Sequence, residues 1–203
     1  MTFYGKRHKF EGVSQAVGKA FRMAGLPANT ITLLSIIPAL ASAYLITQSE
    51  FILAAALFML CAILDMADGA VARATGKASN FGAYLDTMMD RYVEFIVILS
   101  LLFLSLSGGI PGLMLPAAVW VFVLLFGSLM TSYAKAAAKE KNLVRDEIKG
   151  GLVERAERML ILFTGIILAS VNPLYLTYAI VLLAFLSNIT ALQRAWIAKR
   201  SAA

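Results

Sequence analysis

The sequence predicts an all-α integral membrane protein: six transmembrane helices preceded by an N-terminal amphipathic helix on the membrane surface. The first observation behind this is composition. Of 203 residues, 60% are hydrophobic and 15% charged, whereas soluble domains run at about 45–50% and about 25%. Mean hydropathy is +0.79. The second is that the apolar residues fall in runs close to the ~20 residues a bilayer demands. The third is that the breaks between runs are short and rich in turn residues. Disorder is excluded, because so apolar a chain does not stay solvated. A disulfide-stapled scaffold is excluded too, because Cys61 is the only cysteine.

Residues 1–25 carry Lys6, Arg7, Lys9, Lys19 and Arg22 and no apolar run long enough for a signal peptide. Phe10, Val13, Val17, Phe21 and Met23 recur roughly at helical spacing. That suits either a juxtamembrane amphipathic helix or packing against a core. After Pro27 the expected spans are Asn29–Ile46, Phe51–Ala74, Phe81–Leu106, Leu113–Ala138, Leu152–Val171 and Pro173–Leu192. Thr47-Gln48-Ser49-Glu50, Ser107-Gly108-Gly109 and Ser170-Val171-Asn172-Pro173 separate them on one side. The chain therefore reads as an N-terminal arm, 1–25, and a single six-helix transmembrane domain, 26–203.

Charge placement orients the bundle. All 18 basic residues lie in the arm, around Arg73–Arg91, in Lys135–Arg158 or in Arg194–Arg200. The alternate connections, 47–50, 107–112 and 170–173, have none. The positive-inside rule then puts both termini in the cytoplasm. The net charge of +6 is thus mostly topological, facing lipid headgroups and anionic substrates. Apolar spans offer no groove-reading element, so nucleic acid is not an expected partner.

Four aspartates mark the cytoplasmic ends of spans two and three: Asp65, Asp68, Asp86 and Asp90. A carboxylate at membrane depth is costly unless paired or ligating. Asp65 and Asp68 are i, i+3 and Asp86 and Asp90 are i, i+4, so each pair shares a helix face. The short link Thr75–Asn80, with Gly76 at a turn, makes the two helices antiparallel neighbours whose acidic faces can meet. Like charges that close repel unless a cation neutralises them. Oxygen donors alone select Mg²⁺ or Mn²⁺, and four carboxylates suffice for two ions. Two such ions are the usual apparatus for displacement at phosphorus. Structural ion pairs and a proton-relay transporter are the alternatives, but all four acids lie toward one side rather than along a path through the bilayer. Gly69 and Gly82, costly inside helices, point to a close approach to the backbone.

The pattern Asp65-x2-Asp68-Gly69-x2-Ala72-Arg73-x8-Gly82-x3-Asp86-x3-Asp90 resembles the signature of the CDP-alcohol phosphotransferase family at every fixed position. The resemblance implies a six-helix membrane enzyme of phospholipid biosynthesis that moves a phosphatidyl-type group from a CDP-alcohol to a hydroxyl, releasing CMP. It implies that Asp65, Asp68, Asp86 and Asp90 ligate two Mg²⁺ or Mn²⁺ ions, with Asp90 also the general base. It implies CDP contacts from Gly69, Arg73 and Ser79. Pro27-Ala28-Asn29-Thr30-Ile31-Thr32 is similar to the family's Pro-x-Asn-x-x-Thr element, which adds Asn29 and Thr32 to the nucleotide site. Family members are commonly homodimers, and a homodimer is implied here.

The acceptor is read from Tyr133–Arg158 and Arg194. Snorkelling explains Lys141, Lys149, Lys199 and Arg200. Lys135, Arg155 and Arg194, on three different spans, suggest an anion pocket for an acceptor that already carries a phosphate. Glu154-Arg155-Ala156-Glu157-Arg158, Tyr133-x-Lys135-Ala136 and Gln193-Arg194 resemble the inositol-phosphate branch of the family. That implies inositol 1-phosphate as acceptor and CDP-diacylglycerol or CDP-archaeol as donor. Glycerol 3-phosphate is the alternative acceptor. Glu94, one turn past Asp90, and Cys61 read as structural.

Overall fold

The computed structural model describes residues 25–104, 115–144, 148 and 150–201. The expected amphipathic helix in 1–25 falls almost wholly outside them. Among the described residues are seven α-helices and no strand: α1 Ala28–Leu34, α2 Ile36–Thr47, α3 Phe51–Ala74, α4 Asn80–Phe103, α5 Ala117–Glu140, α6 Arg155–Ala169 and α7 Pro173–Ser201. α1 and α2 form one helical stretch, Ala28–Thr47. The break at Ser35 falls where Pro38 lacks the N–H that would bond to Leu34 and crowds that carbonyl. The described residues thus hold one helical rod for each expected span.

Four of these, Ala28–Thr47, α3, α5 and α7, are long and apolar enough to cross a membrane. The other two fail for separate reasons. α4 is long enough, but it carries Asp86, Asp90, Arg91 and Glu94. α6 has 15 residues, about 22 Å of helix at ~1.5 Å per residue, against a hydrocarbon core of about 30 Å.

Boundaries shift where capping chemistry outweighs hydropathy. α5 starts after Pro116 rather than at Leu113 and closes with Asn142 at φ +55°. Leu143 N–H donates to Ala138 O at 2.9 Å there, a Schellman-type end. α6 starts at Arg155 rather than Leu152, because Gly150 and Gly151 have φ of +99° and +124°. A capping box of Glu154 and Glu157 then opens the helix. α7 opens on Pro173 and runs to Ser201, past the expected Leu192. Its Arg200 guanidinium lies 3.6 Å from the Trp196 ring centre, an interfacial pairing of cation and aromatic face.

The helices group into two compact units. One comprises Met1–Leu45 with Leu53–Val97. In it Ile31 of α1 packs against Leu64, Ala67 and Val71, a seven-residue stripe on α3. Ser42 Oγ donates to Ala54 O at 2.8 Å, a contact between α2 and α3 that buried alanines at 39, 43, 54 and 55 leave room for. Cys61 is buried with its Sγ 3.5 Å from Ser35 O, in keeping with a packing role. The other unit comprises Ile46–Ile52 with Ile98–Ala203, and in it α5 and α6 both pack on α7. Asn188 Nδ2 donates to Val123 O at 3.0 Å. A Cβ at Gly127 would lie 2.4 Å from that nitrogen, so only glycine permits this α5–α7 approach. In both units large apolar side chains such as Ile37, Leu40, Phe122 and Phe126 face outward, as lipid-facing surfaces do.

Candidate active site

The first unit builds a polar site where α3 ends and α4 begins. α3 terminates because Gly76 takes φ +64°, with Lys77 N–H donating to Ala72 O at 3.1 Å and Gly76 N–H to Arg73 O at 3.3 Å. Three residues after Gly76, directly before α4, comes Ser79, whose Oγ accepts from Gly82 N–H at 3.0 Å as an N-cap. This tight reversal brings the two acidic faces together. Asp65, Asp86 and Asp90 each offer a carboxylate oxygen within 4.8 Å of the others, and all three are half-buried. That donor set fits a hard divalent cation.

Asp68 stands outside this triad. It is 5% exposed, and Thr32 Oγ1 donates to its Oδ2 at 2.5 Å. It lines a cavity of about 200 Å³ together with Asp86, Asn29, Thr32, Gly69, Arg73 and Ser79. The donor-site residues expected from the sequence therefore surround one space beside the carboxylates. A wider depression of about 470 Å³ shares Ala28, Asn29, Lys77 and Ser79 with it and extends toward Gly25 and Pro27.

The glycines have specific geometric causes. A Cβ on Gly69 would lie 3.2 Å from Arg73 Nη1. One on Gly82 would lie 3.2 Å from Ser79 Oγ and 3.3 Å from Asn29 Oδ1. Both contacts are tighter than ordinary packing, so a side chain at either position would displace a polar group that lines the cavity. Lys77, which lines both spaces, was not singled out in the sequence. Its place in the α3–α4 turn, four residues after Arg73, was the available signal. Glu94 is buried and paired to Arg91 at 2.6 Å.

The second unit holds Lys135, Arg155 and Arg194, the basic residues expected to meet the acceptor. Arg155 is the first residue of α6, and Lys135 lies on α5 one turn beyond Thr131. Arg194 of α7 donates from Nη1 to Thr131 O at 2.8 Å and from Nε to Gly150 O at 3.2 Å. The strand of chain leading into α6 is fastened to α7: Leu152 N–H donates to Gln193 Oε1 at 3.0 Å and Val153 N–H to Thr190 Oγ1 at 3.2 Å. Glu154, Glu157 and Gln193 are therefore architectural members of the motif they belong to. Arg194 is tied to α5 one turn from Lys135 and to the α6 lead-in five residues from Arg155.

Apolar membrane-length helices with a carboxylate triad beside a polar, cation-rimmed cavity define a membrane-embedded phosphotransferase. Residues 26–197 match the family described as CDP-alcohol phosphatidyltransferase, and the chain belongs to that family. Among its relatives, archaetidylinositol phosphate synthase of Pyrococcus horikoshii is 32% identical over 196 residues, covering 96% of this chain and 95% of the relative. Phosphatidylinositol phosphate synthase of Mycobacteroides abscessus is 31% identical over 163 residues, covering 79% and 71%. Phosphatidylinositol phosphate synthase of Mycobacterium tuberculosis, solved with CDP-DAG bound, has a similar fold: TM-score 0.79 at 28% identity over 92% of this chain and 93% of that one. The same enzyme solved with manganese and citrate gives a TM-score of 0.79 at 29% identity, covering 92% and 88%.

Proposed function

We propose that this transferase moves the phosphatidyl-type group of CDP-diacylglycerol or CDP-archaeol to 1L-myo-inositol 1-phosphate, releasing CMP. The observation that carries the proposal is the cavity shared by Asn29, Thr32, Asp68, Gly69, Arg73, Ser79 and Asp86 next to the Asp65–Asp86–Asp90 triad. Its cationic and hydroxyl rim suits a diphosphate, and its carboxylates suit the cations a diphosphate brings. The relatives' names supply the acceptor.

Asp65, Asp68, Asp86 and Asp90 would hold two Mg²⁺ ions, or Mn²⁺, which when bound neutralise the diphosphate and the departing phosphate. Arg73 presents a planar cation to a phosphate oxygen, and Gly69 leaves the space Arg73 needs. Asn29, Thr32 and Ser79 orient the CDP moiety. Lys135, Arg155 and Arg194 bind the phosphate of the acceptor. Asp90 removes the proton from the attacking ring hydroxyl. The new oxygen–phosphorus bond forms at the β-phosphorus as the bond to CMP breaks, and the electron pair leaves on CMP. The Asp-rich ends of α3 and α4 and both chain termini face the cytoplasm, where CMP and inositol phosphate are soluble. A homodimer is the proposed assembly, to be checked by cross-linking in membranes.

The test is CMP release by purified protein given Mg²⁺, either CDP-lipid and a panel of inositol 1-phosphate, glycerol 3-phosphate and free inositol. Inositol 1-phosphate is expected to be the efficient acceptor. Turnover with glycerol 3-phosphate and none with inositol phosphate would overturn the acceptor assignment. Metal-independent behaviour with no CMP from any acceptor would overturn the reaction.

A further inference from the structure

In the second unit one residue serves two guanidinium groups. Thr131 of α5 is fully buried, at 0% exposure. Its Oγ1 accepts from Arg158 Nη1 at 3.2 Å while donating to Ser128 O at 2.7 Å. Its main-chain oxygen accepts from Arg194 Nη1 at 2.8 Å. Arg158 is 2% exposed and Arg194 is 7% exposed. Two buried arginines from α6 and α7 therefore converge on a single threonine of α5.

Each contact fixes something the acceptor site needs. Arg158 is three residues after Arg155 on the same helix face. Its bond to Thr131 ties the first turn of α6, which carries Arg155, to α5. Arg194 spends Nε on Gly150 O and Nη1 on Thr131 O. Those two bonds fix the plane of its guanidinium and, among the described residues, leave the Nη2 amine to meet a ligand oxygen. A guanidinium binds phosphate best when its fork is already oriented. Lys135 lies one turn beyond Thr131 on α5, so the same node is close in sequence to the third acceptor cation.

We propose that Thr131 and Arg158 form a positioning pair that pre-orients the acceptor-phosphate site without touching substrate. This rests on the reading above that Lys135, Arg155 and Arg194 bind a phosphorylated acceptor. Thr131 holds Arg194 through its carbonyl and α6 through its hydroxyl, so loss of the hydroxyl unties the turn that carries Arg155 while the carbonyl bond persists. The pair acts on acceptor binding and leaves the donor side alone.

The test is steady-state CMP release by full-length Thr131→Val, Thr131→Ser and Arg194→Lys proteins, each purified as the folded membrane protein. Thr131→Val keeps shape and β-branching but removes the hydroxyl that accepts from Arg158 Nη1. It is expected to raise the KM for inositol 1-phosphate about tenfold, the low end of what losing one hydrogen bond to a charged group costs. The KM for CDP-lipid should stay within twofold of wild type, and inorganic phosphate should weaken as a competitor of the acceptor by a similar factor. Thr131→Ser keeps the hydroxyl and should restore the acceptor KM even though it gives up a buried methyl group. Equal increases in both KM values, or a Thr131→Ser protein as impaired for acceptor as Thr131→Val, would show a merely structural residue and overturn the proposal. Arg194→Lys separates the two levels. If it leaves the acceptor KM unchanged, the phosphate-site reading itself falls. If it raises that KM while Thr131→Val does not, only the positioning pair falls.

Discussion

Thr32→Val tests whether a residue of the nucleotide element acts on the metal site. Thr32 lines the cavity beside Asn29, yet its hydroxyl lies 2.5 Å from Asp68 Oδ2, with Ala28 O a longer alternative acceptor at 3.1 Å. Valine matches threonine in volume and β-branching, so α1 should hold its conformation and Ile31 its place against α3. The hydrogen bond to the carboxylate is what disappears. A bond to a charged acceptor contributes about 1.5–3 kcal/mol, and Asp68 is only 5% exposed. If Asp68 is a metal ligand, that energy holds its carboxylate in the ligating direction. The apparent affinity for Mg²⁺ should then fall by about 10- to 150-fold. The assay is initial CMP release at saturating CDP-lipid and acceptor, titrated with Mg²⁺. The expected result is a half-saturating Mg²⁺ concentration at least tenfold higher, with most of kcat recovered at high Mg²⁺. An unchanged Mg²⁺ midpoint with a raised CDP-lipid KM would refute this reasoning and make Thr32 a nucleotide contact alone.

Gly82→Ala should separate stability from activity. Alanine gains up to about 1 kcal/mol in a helix, so the melting temperature should hold or rise, while the crowding of Ser79 and Asn29 raises the CDP-lipid KM several-fold. A lower melting temperature with an unaltered KM would count against the cavity as the donor site. Asp90→Asn should lose about 10²–10⁴-fold in kcat while the protein still inserts and folds, and substantial CMP release would rule Asp90 out as the base. Arg155→Ala should raise the KM for inositol 1-phosphate by about 10- to 100-fold with the CDP-lipid KM little changed, measured in the same assay. Chelation by EDTA should abolish turnover and added Mg²⁺ or Mn²⁺ should restore it, whereas turnover in excess EDTA would exclude the carboxylate triad as a metal centre.

Much of the geometry of the candidate site was legible because its determinants are local. The i, i+3 and i, i+4 spacings of the aspartates fix helix faces, and the Gly76 turn fixes the neighbour relation of α3 and α4. The meeting of Asp65 with Asp86 and Asp90 follows from those two facts. The division within the quartet does not. Asp68 and Asp65 are equivalent in the sequence pattern, and only the docking of α1 on α3 brings a threonine to one of them and not the other. Helix starts at 117 and 155 were misplaced for a related reason. Hydropathy runs smoothly through Leu113–Leu115 and Leu152–Val153, while Pro116 and the paired glycines 150 and 151 decide where helical geometry can begin. The importance of Thr131 was not legible at all. A threonine within an apolar span reads as ordinary, and its significance comes from residues 27 and 63 positions away in the chain.

The two units solve the same physical problem in the same way. A soluble enzyme can orient an ionised side chain with ordered water and a shell of polar neighbours. A helix packed among apolar side chains has few of either, and a charged group there either finds a fixed partner or carries a desolvation cost. In one unit Thr32 supplies a hydroxyl donor to the buried carboxylate of Asp68. In the other Thr131 supplies a hydroxyl and a carbonyl to the buried guanidinium groups of Arg158 and Arg194. Threonine suits this task because it is small enough for helix interfaces and its hydroxyl can donate or accept. Its β-branch also holds χ1 to few states. A neutral partner orients the charge without cancelling it. An aspartate beside Arg194 would hold it equally firmly but would neutralise the charge an anionic substrate needs. The charged residues of such a bundle are therefore best judged by whether their buried partners are neutral or opposite in charge. Arg91 with Glu94, 2.6 Å apart, is one opposite-charge case among the described residues.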